Sequence, residues 1–141
     1  MILRPAGEND ADELYQLDAS HTFSARWSLT GWHQELQAPG AHVWCAEEGG
    51  NLVGFIAVHG AAGMYEVTNL AVAAAQQRRG VATALLTTAL QALGTGRVTL
   101  EVSAHNASAI SLYQKHGFTS CGVRKQFYAD GADALVLGKD L

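Results

Sequence analysis

Residues 77–82 read Gln-Arg-Arg-Gly-Val-Ala, and they separate an apolar segment of β type from an apolar segment with helical spacing. Gly80 allows a tight backbone turn because it has no Cβ. The free N–H groups of the following helical turn then point into one space, which favours an anion. Arg78 and Arg79 add positive charge there. The stretch therefore predicts a strand–loop–helix unit that binds an anionic group, although an ordinary helix start has the same pattern.

Two well-known nucleotide-binding loops are excluded at this position. No Gly-Lys-Ser/Thr follows residues 77–82, so the stretch is not a Walker loop. No Gly-x-Gly-x-x-Gly follows the first predicted strand, so the dinucleotide fingerprint is absent as well.

The segments on either side of this loop predict an α+β protein. Upstream, a short strand and two helices precede three strands, and downstream a helix, a strand, a helix and a hairpin follow. The predicted order is β-α-α-β-β-β-α-β-α-β-β, in which a mixed, mostly antiparallel twisted sheet is flanked by helices. Parallel pairing is expected where a helix connects two strands. The predicted strands are 1–4, 42–47, 52–58, 64–72, 98–102, 118–128 and 134–139, and the predicted helices include 29–37, 80–93 and 106–116.

Length and composition predict a single folded domain over residues 1–141. The chain weighs 14.9 kDa and is 48% hydrophobic and 16% charged, the opposite of a disordered composition. Cys45 and Cys121 are too few for a disulfide scaffold, and the six scattered histidines show no metal-binding spacing. No apolar stretch is long enough for a membrane helix. We therefore expect a cytoplasmic protein without a metal site or a membrane partner.

The charges divide unevenly between the two halves of the chain. Residues 1–70 hold two basic and nine acidic side chains, and residues 71–141 hold seven basic and four acidic ones. The resulting charges of −7 and +3 exclude a uniformly basic nucleic-acid binder. They suit a cationic ligand on one half and an anionic ligand on the other, with chance partition of surface charge as the alternative.

A second motif follows the anion-binding loop. It consists of Leu-Glu-Val at residues 100–102 and Asn-Ala-Ser-Ala-Ile-Ser-Leu-Tyr-Gln-Lys-His-Gly-Phe at residues 106–118. Together with residues 77–82, this motif resembles the GNAT superfamily of acetyl-coenzyme A-dependent N-acetyltransferases, and the resemblance extends over essentially the whole chain. The resemblance implies the GNAT fold and acetyl-CoA as co-substrate.

Within the superfamily, the sequence is most similar to the bacterial ribosomal-protein-alanine N-acetyltransferases of the RimI type. Three further stretches carry this similarity: Arg-Trp-Ser at 26–28, Thr-Asn-Leu-Ala-Val at 68–72 and Arg-Lys-Gln-Phe-Tyr at 124–128. The sequence departs from that pattern at Arg26, where the family has proline, at Ala82, where it has glycine, and at Phe127, where it has tyrosine.

The resemblance assigns the cofactor site to two parts of the chain. In the family, the strand before the loop separates from its neighbour, and its main chain pairs with the pantetheine arm. The loop and the next helix then hold the pyrophosphate. The cofactor-binding residues implied in this way are Leu70, Ala71, Val72, Arg78, Arg79, Gly80, Val81, Ala82, Thr83 and Asn106. Asn106 also fits the role of a helix N-cap.

Two residues match the family's catalytic pair. Glu101 matches the general base, which the reaction needs because an α-amino group with a pKa of about 8 is largely protonated at pH 7. Tyr113 matches the general acid, which would assist the departing thiolate. An exposed strand-end glutamate and a packed aromatic are the structural alternatives. The backbone N–H of Val72 or a neighbour is the candidate oxyanion donor, and Cys45 and Cys121 are expected to be core residues, so we expect direct transfer.

The acceptor is the part of the function that the sequence leaves open. The first interpretation is a protein N-terminus, specifically the alanine α-amine of a ribosomal protein, with Trp27 and Tyr128 flanking it and Glu35, Glu47, Glu48 and Glu66 as candidate acidic contacts. The second is a small amine such as a polyamine, an aminoglycoside or an amino acid. The third is a coenzyme A-binding module without turnover, although the presence of both Glu101 and Tyr113 favours an enzyme. No direct nucleic-acid partner is expected.

Overall fold

The computed structural model describes all 141 residues, and its elements follow the predicted order. Two short 3-10 turns, Glu8–Asp10 and Ala74–Gln76, precede the first and third helices. The elements are β1 (Ile2–Pro5), α1 (Ala11–Ala19), α2 (Leu29–Gln37), β2 (Ala41–Glu48), β3 (Asn51–Ala61), β4 (Met64–Val72), α3 (Val81–Leu93), β5 (Arg97–Ser103), α4 (Ala107–Lys115), β6 (Thr119–Arg124) and β7 (Ala134–Asp140).

All seven strands form one sheet in the order β1-β2-β3-β4-β5-β7-β6. Only β4 and β5 pair in parallel, and all other neighbours are antiparallel. The parallel pair confirms the prediction for the strands joined by α3. The same prediction is wrong for β5 and β6, which α4 connects, because β7 returns from its hairpin with β6 and pairs with both.

The helices lie on both faces of the sheet and enclose two apolar clusters. The larger cluster joins α3 and Tyr113 of α4 to one face, and it includes Val98, Leu100 and Val102 of β5. The smaller cluster joins Leu14 of α1 and Trp32 of α2 to the other face. The buried side chains of β5 therefore face α3, and the alternate residues of that strand, Glu101 among them, face the other way.

The helix α3 begins very close to the sheet. A Cβ on Gly54 of β3 would lie 3.1 Å from Val81 Cγ1, 3.1 Å from Leu85 Cδ1 and 3.2 Å from the carbonyl oxygen of Ala71. Only a residue without a side chain fits there without displacing the first turn of α3, so Gly54 helps to fix where that helix starts.

The sixth strand is shorter than predicted. It ends at Arg124 rather than at Tyr128, because Gln126 turns with a positive φ of 49° and donates its N–H to Asp133 Oδ1 at 2.9 Å. Cys121 on this edge strand is exposed, so the expectation of two core cysteines holds for Cys45 and is wrong for Cys121. An edge strand has one side that no neighbour covers.

Candidate active site

The parallel strands β4 and β5 separate halfway along their length. Their pairing runs from Met64–Arg97 to Val67–Leu100, yet β4 continues to Val72 and β5 to Ser103. A register shift at the same place leaves Thr68 as an extra residue opposite β3, and its hydroxyl donates to the carbonyl of Ala57. Such a bulge bends a strand and increases its twist. A cleft therefore opens between the carboxyl-terminal halves of β4 and β5.

One wall of this cleft has unpaired main-chain groups. The amide of Ala73 donates to the carbonyl oxygen of Val53 at 2.8 Å, so these two residues form a hydrogen-bonded pair of the β3–β4 ladder. In an antiparallel ladder, every second residue of a strand is bonded to the same neighbour. The main chain of Ala71 is then bonded to β3, whereas the N–H and C=O groups of Leu70 and Val72 point toward the cleft. Of the three residues that the resemblance implies, Leu70 and Val72 offer their main chain to a ligand, and Ala71 offers none.

The loop after β4 folds back onto the end of that strand. Gln77 Nε2 donates to the carbonyl oxygen of Val72 at 3.2 Å and lies 3.4 Å from His21 Nε2. The Val72 carbonyl is thus already occupied, and the N–H of Val72 is the outward group next to it. Gln77 belongs to the motif that the sequence analysis begins with, but nothing in the sequence indicates that its side chain reaches back to β4.

The predicted anion site lies at the start of α3. Gly80 is the N-cap with φ of 82°, a left-handed conformation, and an added Cβ would meet nothing within 4 Å. Its carbonyl accepts the first helical bond, from Ala84 at 3.0 Å. The N–H groups of Val81, Ala82 and Thr83 precede that bond and have no partner within the helix. The first turn therefore presents three donors together.

Arg78 and Arg79 supply free positive charge beside these donors. Both side chains are exposed, and neither forms an ion pair. Arg78 has φ of 66°, an uncommon value for a residue with a side chain. The local arrangement suits a polyanionic group such as a pyrophosphate.

Asn106 has the capping role that the sequence analysis gives as its alternative. Its Oδ1 accepts the N–H of Ala109 at 3.2 Å, and Asn106 is the N-cap of α4. The side-chain amide donors are left for a further partner. Asn106 lies three residues beyond the end of β5, near the mouth of the cleft.

Glu101 is half-buried on β5, just beyond the point where β4 and β5 separate. Its Oε1 lies 3.1 Å from Arg124 Nε, and this ion pair joins β5 to the end of β6 across β7. Arg124 is not among the site residues predicted from the sequence. The only signal for it is its place in the 124–128 segment, since the contact depends on β7 lying between the two strands.

Tyr113 lies on the opposite face of the sheet. It is 6% exposed, belongs to the larger cluster and packs edge-on against Phe118 with ring centroids 5.4 Å apart. Burial raises the pKa of Tyr113 well above its usual value. The phenol is therefore fully protonated at neutral pH, and its proton is harder to transfer than that of an exposed tyrosine.

Tyr128 lies within electrostatic range of Glu101. It is half-buried and packs edge-on against Phe127 at 5.2 Å between ring centroids. Burial, followed by the negative charges of Glu101 and Asp130, raises the pKa of Tyr128. The structure thus brings Glu101, Arg124, Phe127 and Tyr128 together at one end of the sheet.

Trp27 lies in a different part of the molecule. Its ring packs on Trp32 with centroids 4.7 Å apart, and its main-chain N–H donates to Asp18 Oδ2 at 2.7 Å. No hydrogen bond or aromatic contact joins it to Tyr128. Trp27 belongs to the smaller cluster, so packing already accounts for much of its ring.

Two of the candidate acidic contacts already have side-chain partners. Glu35 Oε2 lies 3.0 Å from His59 Nδ1, and Glu47 Oε1 lies 3.1 Å from an Arg4 guanidinium nitrogen. Glu48 and Glu66 are exposed. Glu35 and Glu47 are therefore already engaged within their own parts of the fold.

The cysteines are poorly suited to covalent catalysis. Cys45 is fully buried, and burial raises the pKa of its thiol to about 12. Cys121 lies close to Arg97 at the start of β5. Glu101 is four residues farther along that strand, about 13 Å away at the usual rise per residue.

The structure contains no cluster of three or more potential metal ligands, and none of its helices is long and apolar enough to cross a membrane.

Comparisons with known proteins agree with this geometry. The profile of the Acetyltransferase (GNAT) family matches residues 9–118. The chain is 34% identical over 119 residues to the N-alpha-acetyltransferase RimI of Mycobacterium tuberculosis, covering 81% of this chain and 75% of that protein. It is 30% identical over 133 residues to a candidate ribosomal protein bS18-alanine N-acetyltransferase of Bacillus subtilis, covering 91% of this chain and 87% of the relative.

A solved structure gives the same result for the fold. The ribosomal-protein-S18-alanine N-acetyltransferase of Escherichia coli superposes with a TM-score of 0.90 at 26% identity, covering 99% of this chain and 92% of that one. The two chains therefore share the same overall fold. The chain is a member of the GNAT family, an N-acetyltransferase that takes its acetyl group from acetyl-CoA.

Proposed function

We propose that this enzyme acetylates the N-terminal α-amine of a protein, with alanine of a ribosomal protein as the preferred acceptor, and that Glu101 is the general base and Tyr113 the general acid. One observation carries the proposal. Glu101 lies just beyond the point where β4 and β5 separate, and Tyr113 lies on the opposite face of the sheet. An acceptor on one face and a donor on the other could meet there.

The residues around the cleft fit acetyl-CoA. The outward N–H and C=O of Leu70 and the N–H of Val72 offer strand-like bonds to an extended arm that contains amides. The N–H groups of Val81, Ala82 and Thr83, with Arg78 and Arg79, offer donors and positive charge to the pyrophosphate. Acetyl-CoA supplies the acetyl group as a thioester, whose carbonyl carbon the amine attacks.

Glu101 removes the proton that keeps the amine unreactive. An α-amino group has a pKa of about 8, so most of it is ammonium at pH 7. The Glu101 carboxylate accepts one proton from it, directly or through a water, and the free amine then forms the new C–N bond as the C–S bond breaks. The nitrogen gives up its second proton as the amide forms, and the departing thiolate takes up a proton to leave as coenzyme A thiol. The N–H of Val72 points into the cleft and is the candidate donor to the acetyl oxygen.

Tyr113 assists the departing sulfur chiefly by donating a hydrogen bond. A thiol has a pKa near 8.5, below the usual tyrosine value of about 10. Burial raises the pKa of Tyr113, which widens this difference and makes full proton transfer less favourable than it would be from an exposed phenol. A hydroxyl that stays protonated still stabilises the developing thiolate.

The acceptor assignment rests on relatives with related printed activities and on the segment at 124–128. The relatives from B. subtilis and E. coli are both named for ribosomal-protein-alanine acetylation, and the M. tuberculosis relative is named as an N-alpha-acetyltransferase. Tyr128 next to Glu101 would flank the acceptor's first residue. Trp27, in the loop between α1 and α2, is the second residue that we propose to flank the acceptor. We also expect a cytoplasmic location, where ribosomal proteins are made.

Thiol release from acetyl-CoA with a six-residue peptide tests the proposal. The peptide carries the N-terminus of the organism's own ribosomal protein, and its matched control has the α-amine blocked. We expect turnover on the free peptide only, and loss of most turnover in Glu101→Gln and Tyr113→Phe with acetyl-CoA binding retained. Turnover confined to polyamines or aminoglycosides would replace the protein acceptor with a small amine, and full activity in Glu101→Gln would overturn its role as base.

A further inference from the structure

We propose that Gln77 is a positioning residue for acetyl-CoA: its side-chain amide occupies the carbonyl of Val72, so that the cofactor arm finds a single register along β4. This role rests on the proposed binding of that arm to the main chain of β4. It concerns where the bound thioester lies and not which group removes the proton from the amine.

Two carbonyl groups of β4 point toward the cleft, those of Leu70 and Val72. Because they are two residues apart, they have the same orientation and lie about 6.5 Å from each other along the strand. An extended arm that contains amide N–H groups would find an equivalent acceptor at either position. The strand by itself therefore does not fix where the arm binds.

Gln77 takes one of these two acceptors. Its Nε2 donates to the carbonyl oxygen of Val72 at 3.2 Å. Because this carbonyl points toward the cleft, a donor to it stands on the cleft side of β4, where an N–H of the cofactor arm would otherwise lie. No side chain donates to the carbonyl of Leu70, which thus remains the open acceptor.

His21, in the loop between α1 and α2, holds the Gln77 amide in this position. Gln77 Nε2 lies 3.4 Å from His21 Nε2 and already donates to Val72, so the ring nitrogen is the acceptor of its second N–H. That role requires a His21 Nε2 without a proton. Burial is the largest effect on the pKa of His21 and lowers it; the charge of Asp18 opposes this shift and that of Arg26 adds to it. The ring is therefore neutral at pH 7, and one amide bridges two acceptors.

Loss of the Gln77 side chain would open the second register. Bound acetyl-CoA would then distribute between an arm bonded at Leu70 and an arm bonded at Val72. A shift of about 6.5 Å between them is large, because the amine and the thioester carbon must approach to about 3–3.5 Å for the reaction. Only one of the two complexes can therefore be productive.

A nonproductive complex has a kinetic signature that a loosened loop does not have. It withdraws enzyme from turnover and at the same time adds a way to bind, so kcat and the KM for acetyl-CoA fall by the same factor and kcat/KM stays unchanged. A loop that merely lost its support would bind acetyl-CoA less tightly, and KM would rise. Because one hydrogen bond holds the second register, we expect a factor of about two to ten.

The test compares Gln77→Ala with Gln76→Ala, which removes the same side chain from the 3-10 turn Ala74–Gln76, where it bonds to neither Val72 nor His21. Initial rates are measured with saturating six-residue peptide and varied acetyl-CoA, and calorimetric titration with acetyl-CoA is performed without an acceptor. In Gln77→Ala, we expect kcat, KM and Kd to fall together by about two- to tenfold. Gln76→Ala should match wild type. Gln77→Arg keeps a long side chain that ends in N–H donors, so its kcat should stay at the wild-type value.

Unchanged kcat and Kd in Gln77→Ala would overturn the inference, and so would a higher KM with a lower kcat/KM, because Gln77 would then support the loop or bind the cofactor itself. An equal effect in Gln76→Ala would overturn it as well. The calorimetric titration needs no acceptor, so it tests Gln77 even if the peptide is not acetylated. Turnover of the peptide and its loss in Glu101→Gln decide the proposed function separately. If wild type acetylates only small amines, the rates are measured with such an amine.

Discussion

Asp18 and Asn69 are 51 residues apart in the chain, yet Asn69 Nδ2 donates to Asp18 Oδ1 at 3.0 Å in the interior. Asp18 lies in the last turn of α1, and Asn69 immediately precedes the main-chain groups of β4 that face the cleft. The same carboxylate accepts hydrogen bonds from the N–H groups of Arg26 and Trp27 and from Trp32 Nε1. The loop that carries Trp27 is thereby fixed to the strand that borders the candidate cofactor site.

The fully buried carboxylate of Asp18 has five donors and no cationic partner, with the Ser24 hydroxyl as the fifth donor. Asp18→Ala would leave these donors unsatisfied, and each unsatisfied buried group costs about 1–3 kcal/mol. We expect Asp18→Ala to lower the free energy of unfolding by at least about 3 kcal/mol, measured by urea denaturation. Glu48→Ala, which removes an exposed carboxylate, is the matched control and should stay within about 0.5 kcal/mol of wild type.

Asp18→Asn gives a finer test of the same network. Asparagine keeps one carbonyl oxygen and replaces the other acceptor with a donor, so it should be destabilising by less than Asp18→Ala. An Asp18→Ala protein as stable as wild type would show that water satisfies these donors.

At Gly80, the backbone conformation and not a steric clash should limit which residues are tolerated. No atom lies within 4 Å of an added Cβ, so only φ of 82° opposes a side chain. Gly80→Ala should lower the free energy of unfolding by about 1 kcal/mol, because alanine is strained in a left-handed conformation. It should also weaken acetyl-CoA binding, because relief of that strain reorients the N–H donors of the first turn of α3. Gly80→Asn should cost less, since asparagine tolerates this conformation better. Calorimetric titration with acetyl-CoA measures the affinity of wild type and both variants, and urea denaturation measures their stability. Equal affinities in all three proteins would show that the turn does not set the donor geometry.

The contrast between what the sequence predicts and what it misses has a physical cause. Local patterns are sufficient for the element order, for α3 and the glycine turn before it, and for the parallel β4–β5 pair. They are not sufficient for features that depend on register or on distant partners. The insertion of β7 between β5 and β6 creates the Glu101–Arg124 contact, and the phase of the β3–β4 ladder decides that Leu70 and Val72, rather than Ala71, face the cleft.

The two exposed arginines before α3 should contribute to affinity through charge. Arg78 and Arg79 have no acidic partner, so both are available to a bound pyrophosphate. We expect Arg78→Ala/Arg79→Ala to weaken acetyl-CoA binding about tenfold at low ionic strength and by less at 0.5 M salt, where screening reduces exposed interactions. Arg97→Ala removes an exposed arginine that pairs with Asp140 elsewhere, and it should leave the affinity unchanged. An unchanged affinity in the double variant would show that the amide donors are sufficient.

The buried phenol of Tyr113 predicts how stability depends on pH. Burial raises its pKa in the folded state above the value of about 10 in the unfolded chain. Because the folded state then holds the proton more tightly, this contribution to stability is fully present below pH 10 and is lost as the pH rises above it. The thiol of Cys45, with its pKa raised to about 12 by burial, acts in the same direction.

Tyr113→Phe removes the phenol's share of this loss without removing the ring that packs on Phe118. We therefore expect wild type to lose more free energy of unfolding between pH 9 and pH 11 than Tyr113→Phe does, measured by urea denaturation at each pH. At pH 7, the variant should remain folded and bind acetyl-CoA while its kcat falls. A variant that loses stability with pH as steeply as wild type would show that the phenol is not shielded from water in the folded protein, and a variant with wild-type kcat would show that its hydroxyl does not assist the departing thiolate.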